Sequence, residues 1–184
     1  IILGKNLFSS DKYGYADLQS NLIFHNFETN KFTKFFINDI DWSYKQFNYS
    51  SGLTGRLLGK LKNVNYEAKN TSIYKTDTTH EIFGAVGYLS EINLFKKIKD
   101  NSKHFLTPKM LIRYAPGHMR QETNTTRLNH SNMFTLDRLN TNKNFESGLS
   151  TTLGFDYELE KSNKKLDFSI AQIINEKENR DMPS

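Results

Sequence analysis

Residues 145–159, FESGLSTTLGFDYEL, divide into two interleaved sets of opposite chemistry. The odd positions are Phe145, Ser147, Leu149, Thr151, Leu153, Phe155, Tyr157 and Leu159, and six of these eight are apolar. The even positions, Glu146, Gly148, Ser150, Thr152, Gly154, Asp156 and Glu158, carry no apolar side chain. Strand side chains alternate between faces, so the run predicts a two-faced β-strand. It is also long: strands of soluble domains have about 5–6 residues, whereas a tilted membrane-spanning strand needs about 9–11. That combination characterises outer-membrane β-barrels.

The pattern recurs along the chain. Leu166, Phe168, Ile170 and Ile174 share a face, interrupted by Gln172, with Asp167, Ser169 and Ala171 opposite and Ile173 an exception. With the polar turn 160–165 this predicts an antiparallel hairpin. Leu106, Pro108, Met110, Ile112 and Tyr114 oppose Thr107, Lys109 and Arg113, with Leu111 the exception. Pro108 lacks an N–H and is expected near a strand end or at a bulge. Residues 82–94 place Ile82, Val86, Tyr88, Ile92 and Leu94 together. Phe36, Ile40, Trp42 and Tyr44 alternate with Asp39, Asp41 and Ser43. Leu18, Leu22 and Phe24 suggest an earlier strand, less regular because Ile23 and Phe27 lie opposite. Residues 48–62 fit a strand through Tyr49, Leu53, Leu57 and Leu61, and a helix through Leu57, Leu58, Leu61 and Val64. Gly52, Gly55 and Gly59 favour the strand.

The reading is all-β: about seven antiparallel strands, part of a large transmembrane outer-membrane β-barrel, with residues 1–184 a segment of a single barrel domain. The connectors 160–165, 96–103 and 45–47 read as short, and 117–144 and 62–81 as long, which is the asymmetry of periplasmic turns and extracellular loops. Only the connector at 28–33 is short on the long-loop side. Seven strands of this length do not close, and open edges are not tolerated in lipid. A piece of a larger barrel is therefore expected, with a curved soluble sheet as the alternative. The start at Ile1 and the end at Met182-Pro183-Ser184 fit a segment cut from a longer chain.

Composition narrows the field. Hydrophobic residues make up 36%, the mean hydropathy is −0.65, and no run approaches the ~18 apolar residues of a membrane helix. Helical membrane proteins are excluded; barrels, half polar by construction, are not. The net charge of +5 fits nucleic acid, an anionic membrane or glycolipid, or solvated loops. With no cysteine, the redox compartment is not legible.

Candidate chemistry is sparse. His25, His80, His104, His118 and His130 lack metal-ligand spacing. Gly55-Arg56-Leu57-Leu58-Gly59-Lys60-Leu61 is one residue short of a phosphate loop and lacks its final Ser or Thr. There is no G-x-S-x-G elbow. Asp39 with Asp41, and Asp156 with Glu158, share strand faces, which suits a hydrated lumen at least as well as acid/base work. Lys31-Phe32-Thr33-Lys34-Phe35-Phe36 suits single-stranded nucleic acid or an aromatic girdle with interfacial lysine, and the surrounding alternation prefers the girdle. The expectation is a non-enzyme with no catalytic, cofactor or metal residues and no nucleic-acid partner.

Four blocks carry a resemblance. Residues 106–120, LTPKMLIRYAPGHMR, are similar to a TPK-x-x-x-RY-x-P strand. Asn132-Met133-Phe134-Thr135-Leu136-Asp137-Arg138-Leu139 is similar to an x-F-x-L-x-R-x loop segment. The strand Gly148-Leu149-Ser150-Thr151-Thr152-Leu153-Gly154 follows. Phe168-Ser169-Ile170-Ala171-Gln172-Ile173-Ile174, before Glu176-Lys177-Glu178-Asn179, is similar to an F-S-x-x-Q-x-x strand and its charged loop. In this order and spacing over residues 105–184, they resemble the LPS-assembly protein LptD family. The earlier residues fit as barrel strands.

The resemblance implies a very large outer-membrane barrel preceded by a periplasmic β-jellyroll. Such a protein accepts lipopolysaccharide from periplasmic Lpt bridge proteins and releases it sideways into the outer leaflet. An LptE-like lipoprotein fills its lumen. This chain corresponds to mid-barrel wall, without the jellyroll or gate strands, and the family's disulfide cysteines have no counterpart here. On this reading Glu146, Ser150, Thr152, Asp156 and Glu158 face the lumen and guide sugars. Leu149, Leu153, Phe155, Tyr157 and Leu159 face lipid. Lys109, Arg113, Arg120, Arg127 and Arg138 are candidates for lipopolysaccharide phosphates, or are solvated charge. An Arg at Leu153 is expected to cost about 2–4 kcal/mol near mid-bilayer, and a charge at Thr152 far less. Another outer-membrane barrel (porin or receptor) and a soluble β-rich glycan- or nucleic-acid-binding protein are the rival readings.

Overall fold

A computed structural model describes residues 1–27, 30–72, 74–98, 102–119, 128–141, 144–162 and 164–179. Its strands are β1 (Ile2–Ser10), β2 (Gly14–Phe27), β3 (Lys31–Ser43), β4 (Phe47–Asn48), β5 (Leu53–Lys69), β6 (Thr79–Ile92), β7 (Leu94–Lys97), β8 (Lys103–Ala115), β9 (Gly148–Lys161) and β10 (Lys164–Asn175). Among the described residues one short helix, α1 (His130–Met133), interrupts the long connector. All ten strands belong to one antiparallel sheet of order β1-β2-β3-β5-β6-β8-β9-β10, with β4 paired to β5 and β7 to β8. The sheet is open, with β1 and β10 at its edges.

All seven expected strands are present, and residues 53–69 are strand rather than helix. Three further strands, β1, β4 and β7, bring the total among the described residues to ten. Pro108 sits where β8 changes partner: Lys109 pairs with Glu91 of β6, and Leu106 pairs with Leu94 of β7. The missing N–H thus falls in the gap between two ladders. Thr107 Oγ1 bridges that gap by donating to Asn93 Oδ1 at 3.0 Å.

Several boundaries differ from expectation, among them the start of β5 at Leu53 in place of 48, which leaves Tyr49 in a turn. The run predicted from 145 begins as strand only at Gly148, whose φ of 107° is a left-handed backbone that breaks the extended path. Phe145 and Glu146 consequently belong to the loop and not to the strand, and Glu146 does not take the place on the lumen wall expected above. The connector expected over 62–81 shrinks to 70–78, no longer than 44–52 at the other end. Its first part is lost to β5 because the apolar parity of that strand switches. Leu57 and Leu61 lie on one face, whereas Val64, Tyr66 and Ala68 lie buried on the other. The length asymmetry of the connectors therefore rests mainly on 116–147.

The described residues 128–141 and 144–147 of that connector fold over one face of the sheet. The covered face carries Phe35, Ile37, Val64, Tyr66, Ala68, Phe83, Ala85, Leu111 and Ala115, which form one buried cluster with Leu136 and Phe145 of the connector. Ile23 and Leu58 pack against it. Of the residues that violated the alternation, Leu111 is thus a core residue, and Ile23, half-buried, packs against the edge of the same cluster. The other face is bare. Leu57, Leu61, Ile82, Val86, Ile112, Leu149, Leu153, Phe168, Ile170 and Ile174 are each at least 40% exposed on it. The register aligns them in rows across the sheet, as in Leu57–Tyr88–Ile112–Thr151–Ile174. A contiguous apolar face of this extent is unusual for a soluble domain, where it marks a partner or a membrane.

Candidate functional site

The connector is held down by charge as well as by apolar packing. Glycine at position 87 leaves room for Leu136, whose Cδ2 lies 2.7 Å from where a Cβ would stand. Around that contact, β8 supplies Arg113, fully buried, whose Nε donates to the Leu136 carbonyl at 2.7 Å. Its Nη2 donates to the carbonyl of Glu146. Arg138 of the connector is also fully buried. It lies 3.5 Å from the Glu146 carboxylate and donates to Ser150 Oγ of β9. Burial holds the Arg138 guanidinium below its ordinary pKa, and the charge of Glu146 opposes that shift. Glu146 therefore meets two buried guanidinium groups, Arg138 through its carboxylate and Arg113 through its backbone carbonyl, and loss of either charge of the Arg138–Glu146 pair leaves the other buried and unmatched.

A second anchor is Lys62 of β5, 2% exposed. Its ammonium contacts Asp137 at 2.6 Å and Asp39 at 3.9 Å, and donates to the Thr141 carbonyl. Phe145 joins the anchors: its ring lies 5.6 Å from Lys62 Nζ and 5.4 Å from Arg113 Cζ, and stacks on Phe83 at 6.4 Å. Both cations meet a ring in a dry setting, where such contacts are strongest. Thr152 Oγ1 donates to the Met133 carbonyl at 3.0 Å. Asn129 caps α1 through a reciprocal capping box with Asn132, and His130 lies against Asp156, which also pairs with Lys109.

The predicted site residues thus fall into separate groups. Ser150 and Thr152 lie on the covered face, buried under the connector, and Glu146 is buried within the connector itself, so the three are not a hydrated wall. Asp156 and Glu158 lie lower on that face and are partly exposed, Glu158 pairing with Lys165 at 3.0 Å. Arg113 and Arg138 are neither solvated charge nor open to phosphate: both are consumed inside the latch. Arg120 and Arg127 lie outside the described residues. Asp39 and Asp41 do not form an acid pair, because cross-strand Lys62 and Lys60 neutralise them. Lys31 and Lys34 cap the rings of Phe27 and Phe24 at 5.5 and 5.8 Å, whereas Phe35 is core. The glycine-rich run 55–61 is mid-strand in β5. Sequence reasoning missed Lys62, Asp137 and Phe145. The available signal was a lysine directly opposite Asp39 once β3 and β5 are paired.

The residues of the first three motif blocks meet here, Lys109 and Arg113 from the first, Met133, Leu136, Asp137 and Arg138 from the second, Ser150 and Thr152 from the third. No family model matches the chain, and no curated protein matches it.

Proposed function

We propose that this chain is mid-barrel wall of an outer-membrane lipopolysaccharide translocon of the LptD type. The observation that carries the reading is the bare face: long strands expose an almost wholly apolar surface there, while their charges gather on the covered face beside its apolar cluster. β2, β3, β5, β6, β8 and β9 have 13 to 17 residues, enough to cross a bilayer at a tilt. Rings gather near the ends of the strands. Trp42, Tyr44 and Phe47 lie at one end, with centroids 6.2 and 5.3 Å apart, and Phe24 lies under Lys34 at the other. Such belts suit the two membrane interfaces. On this reading the free edges of β1 and β10 continue into further strands, since lipid tolerates no open edge.

The lipopolysaccharide cargo rests on the four ordered sequence blocks, three of which converge on one latch. The covered face is then luminal, and the connector 116–147 is an extracellular loop folded inward. A lumen lipoprotein and a periplasmic bridge are the expected partners, as is the bilayer itself. Depletion of the full-length protein in cells is the test. Lipopolysaccharide should disappear from the cell surface and accumulate behind it, while the protein fractionates with the outer membrane. Normal surface lipopolysaccharide with altered solute uptake would instead indicate a porin or receptor. Recovery of the protein in soluble form without detergent would reject the barrel.

A further inference from the structure

Below the latch, between the connector and the lower part of β2, β3 and β5, lies an open cleft of about 550 Å³. That is within the range of small-ligand sites, about 300–1,000 Å³. We infer that this cleft binds an uncharged saccharide and not a phosphate group. The charges of its walls are already matched. Lys60 Nζ contacts both oxygens of Asp41 at 2.8 Å, and Asp137 is held by Lys62 at 2.6 Å. Lys60 is the only cation among the described residues lining the cleft, and Arg56, outside it, is engaged with the Tyr15 hydroxyl, so a phosphate arriving there meets two carboxylates and no uncommitted cation.

Hydroxyl-rich ligands fit better. The Asp41 side chain is 60% exposed, and a carboxylate has about four lone-pair sites, so it can serve Lys60 and still accept from sugar hydroxyls. Asn140 and Thr135 add amide and hydroxyl groups from the connector. Tyr15, 42% exposed on the sheet side, offers an aromatic surface to the C–H face of a pyranose ring. An apolar platform beside convergent polar groups is the chemistry that separates a sugar from water and from an anion. The inference rests on the export reading only for the source of the sugar, which would be the saccharide part of the glycolipid.

The test uses the full-length protein in lauryldimethylamine oxide micelles, whose head group carries no sugar. Saturation-transfer NMR is recorded with glucose, galactose, mannose and N-acetylglucosamine, then with inorganic phosphate as competitor. At least one sugar should give a saturable signal with Kd on the order of millimolar, unchanged by excess phosphate. Tyr15→Ala and Asp41→Ala should each weaken it about tenfold or more, with Tyr15→Phe retaining it. The inference is overturned if no sugar gives a signal, if phosphate displaces the sugar, or if both alanine variants bind normally. Absence of sugar binding by a protein that does reside in the outer membrane would leave the export reading intact. Sugar binding by a soluble protein would do the reverse.

Discussion

Arg138 and Glu146 face each other 3.5 Å apart with side chains 0% and 2% exposed, although both come from a connector between strands. Burying such a pair is costly, and breaking it is costlier, because the surviving partner stays charged and dry. Glu146→Ala strands Arg138, while Arg113 keeps its bond to the backbone carbonyl at that position. It should destabilise the folded protein by about 3–5 kcal/mol, read as a shift in urea midpoint. Glu146→Gln should cost less, since the amide oxygen still accepts. The double change Arg138→Met with Glu146→Leu should recover much of the loss. An unchanged midpoint for Glu146→Ala would mean that the pair does not hold the connector.

Gly87 makes a separate claim about the same connector. A Cβ there meets Leu136 Cδ2 at 2.7 Å and the Ile112 carbonyl at 3.0 Å. Gly87→Val should overpack the contact by about 1–3 kcal/mol. Leu136→Ala in the same chain should relieve part of that, a coupling measurable in a double-mutant cycle. Strict additivity of the two substitutions would show that the connector does not press on Gly87.

These two predictions concern what the sequence left illegible. The bare face could be read because Leu149, Leu153 and Phe155 obey one rule, period-two alternation, over a long stretch. The covered face could not, because its environment changes along each strand. In β5 the covered side is polar at Lys60, charged but dry at Lys62, and apolar from Val64 to Ala68. No single polarity rule describes it; what decides is whether the connector lies above. Ile23 and Leu111 registered only as exceptions, since the residues that bury them are distant in sequence. Phe145 was misplaced for a local reason, as one left-handed glycine detached it from the strand whose alternation it shares.

Lys62 tests the second anchor. Its removal leaves Asp137 and Asp39 facing one another without a cation, the former already 8% exposed at its side chain. Lys62→Met keeps most of the stem volume but loses the charge, and should destabilise by roughly 3–5 kcal/mol as for other broken buried pairs. Adding Asp137→Asn should restore part of it. A cysteine placed at Thr152, beneath the connector, provides an independent readout. It should resist a membrane-impermeant maleimide in the parent protein and react faster when Lys62 is replaced. Equal labelling rates in both proteins would argue that the connector stays down without Lys62.

The facing assignment needs a different pair of positions from the one suggested by sequence. Leu153→Arg is still expected to cost about 2–4 kcal/mol if its side chain meets mid-bilayer. Thr152 is no longer a permissive control: it is fully buried and bonded to the Met133 carbonyl, so a charge there also dislodges the connector. Ser169 and Ile170 of β10 are better placed. Both are exposed and adjacent, and they lie on opposite faces. Ser169 donates to Asp156 at 2.7 Å on the covered face, at the margin of the connector where His130 also meets that carboxylate, whereas Ile170 pairs with Phe155 on the bare face. Ser169→Arg would stand beside a carboxylate and should fold into vesicles with near-parental stability. Ile170→Arg should lose about 2–4 kcal/mol near mid-bilayer, less toward either interface. Similar stabilities for the two variants would show that lipid does not cover the bare face.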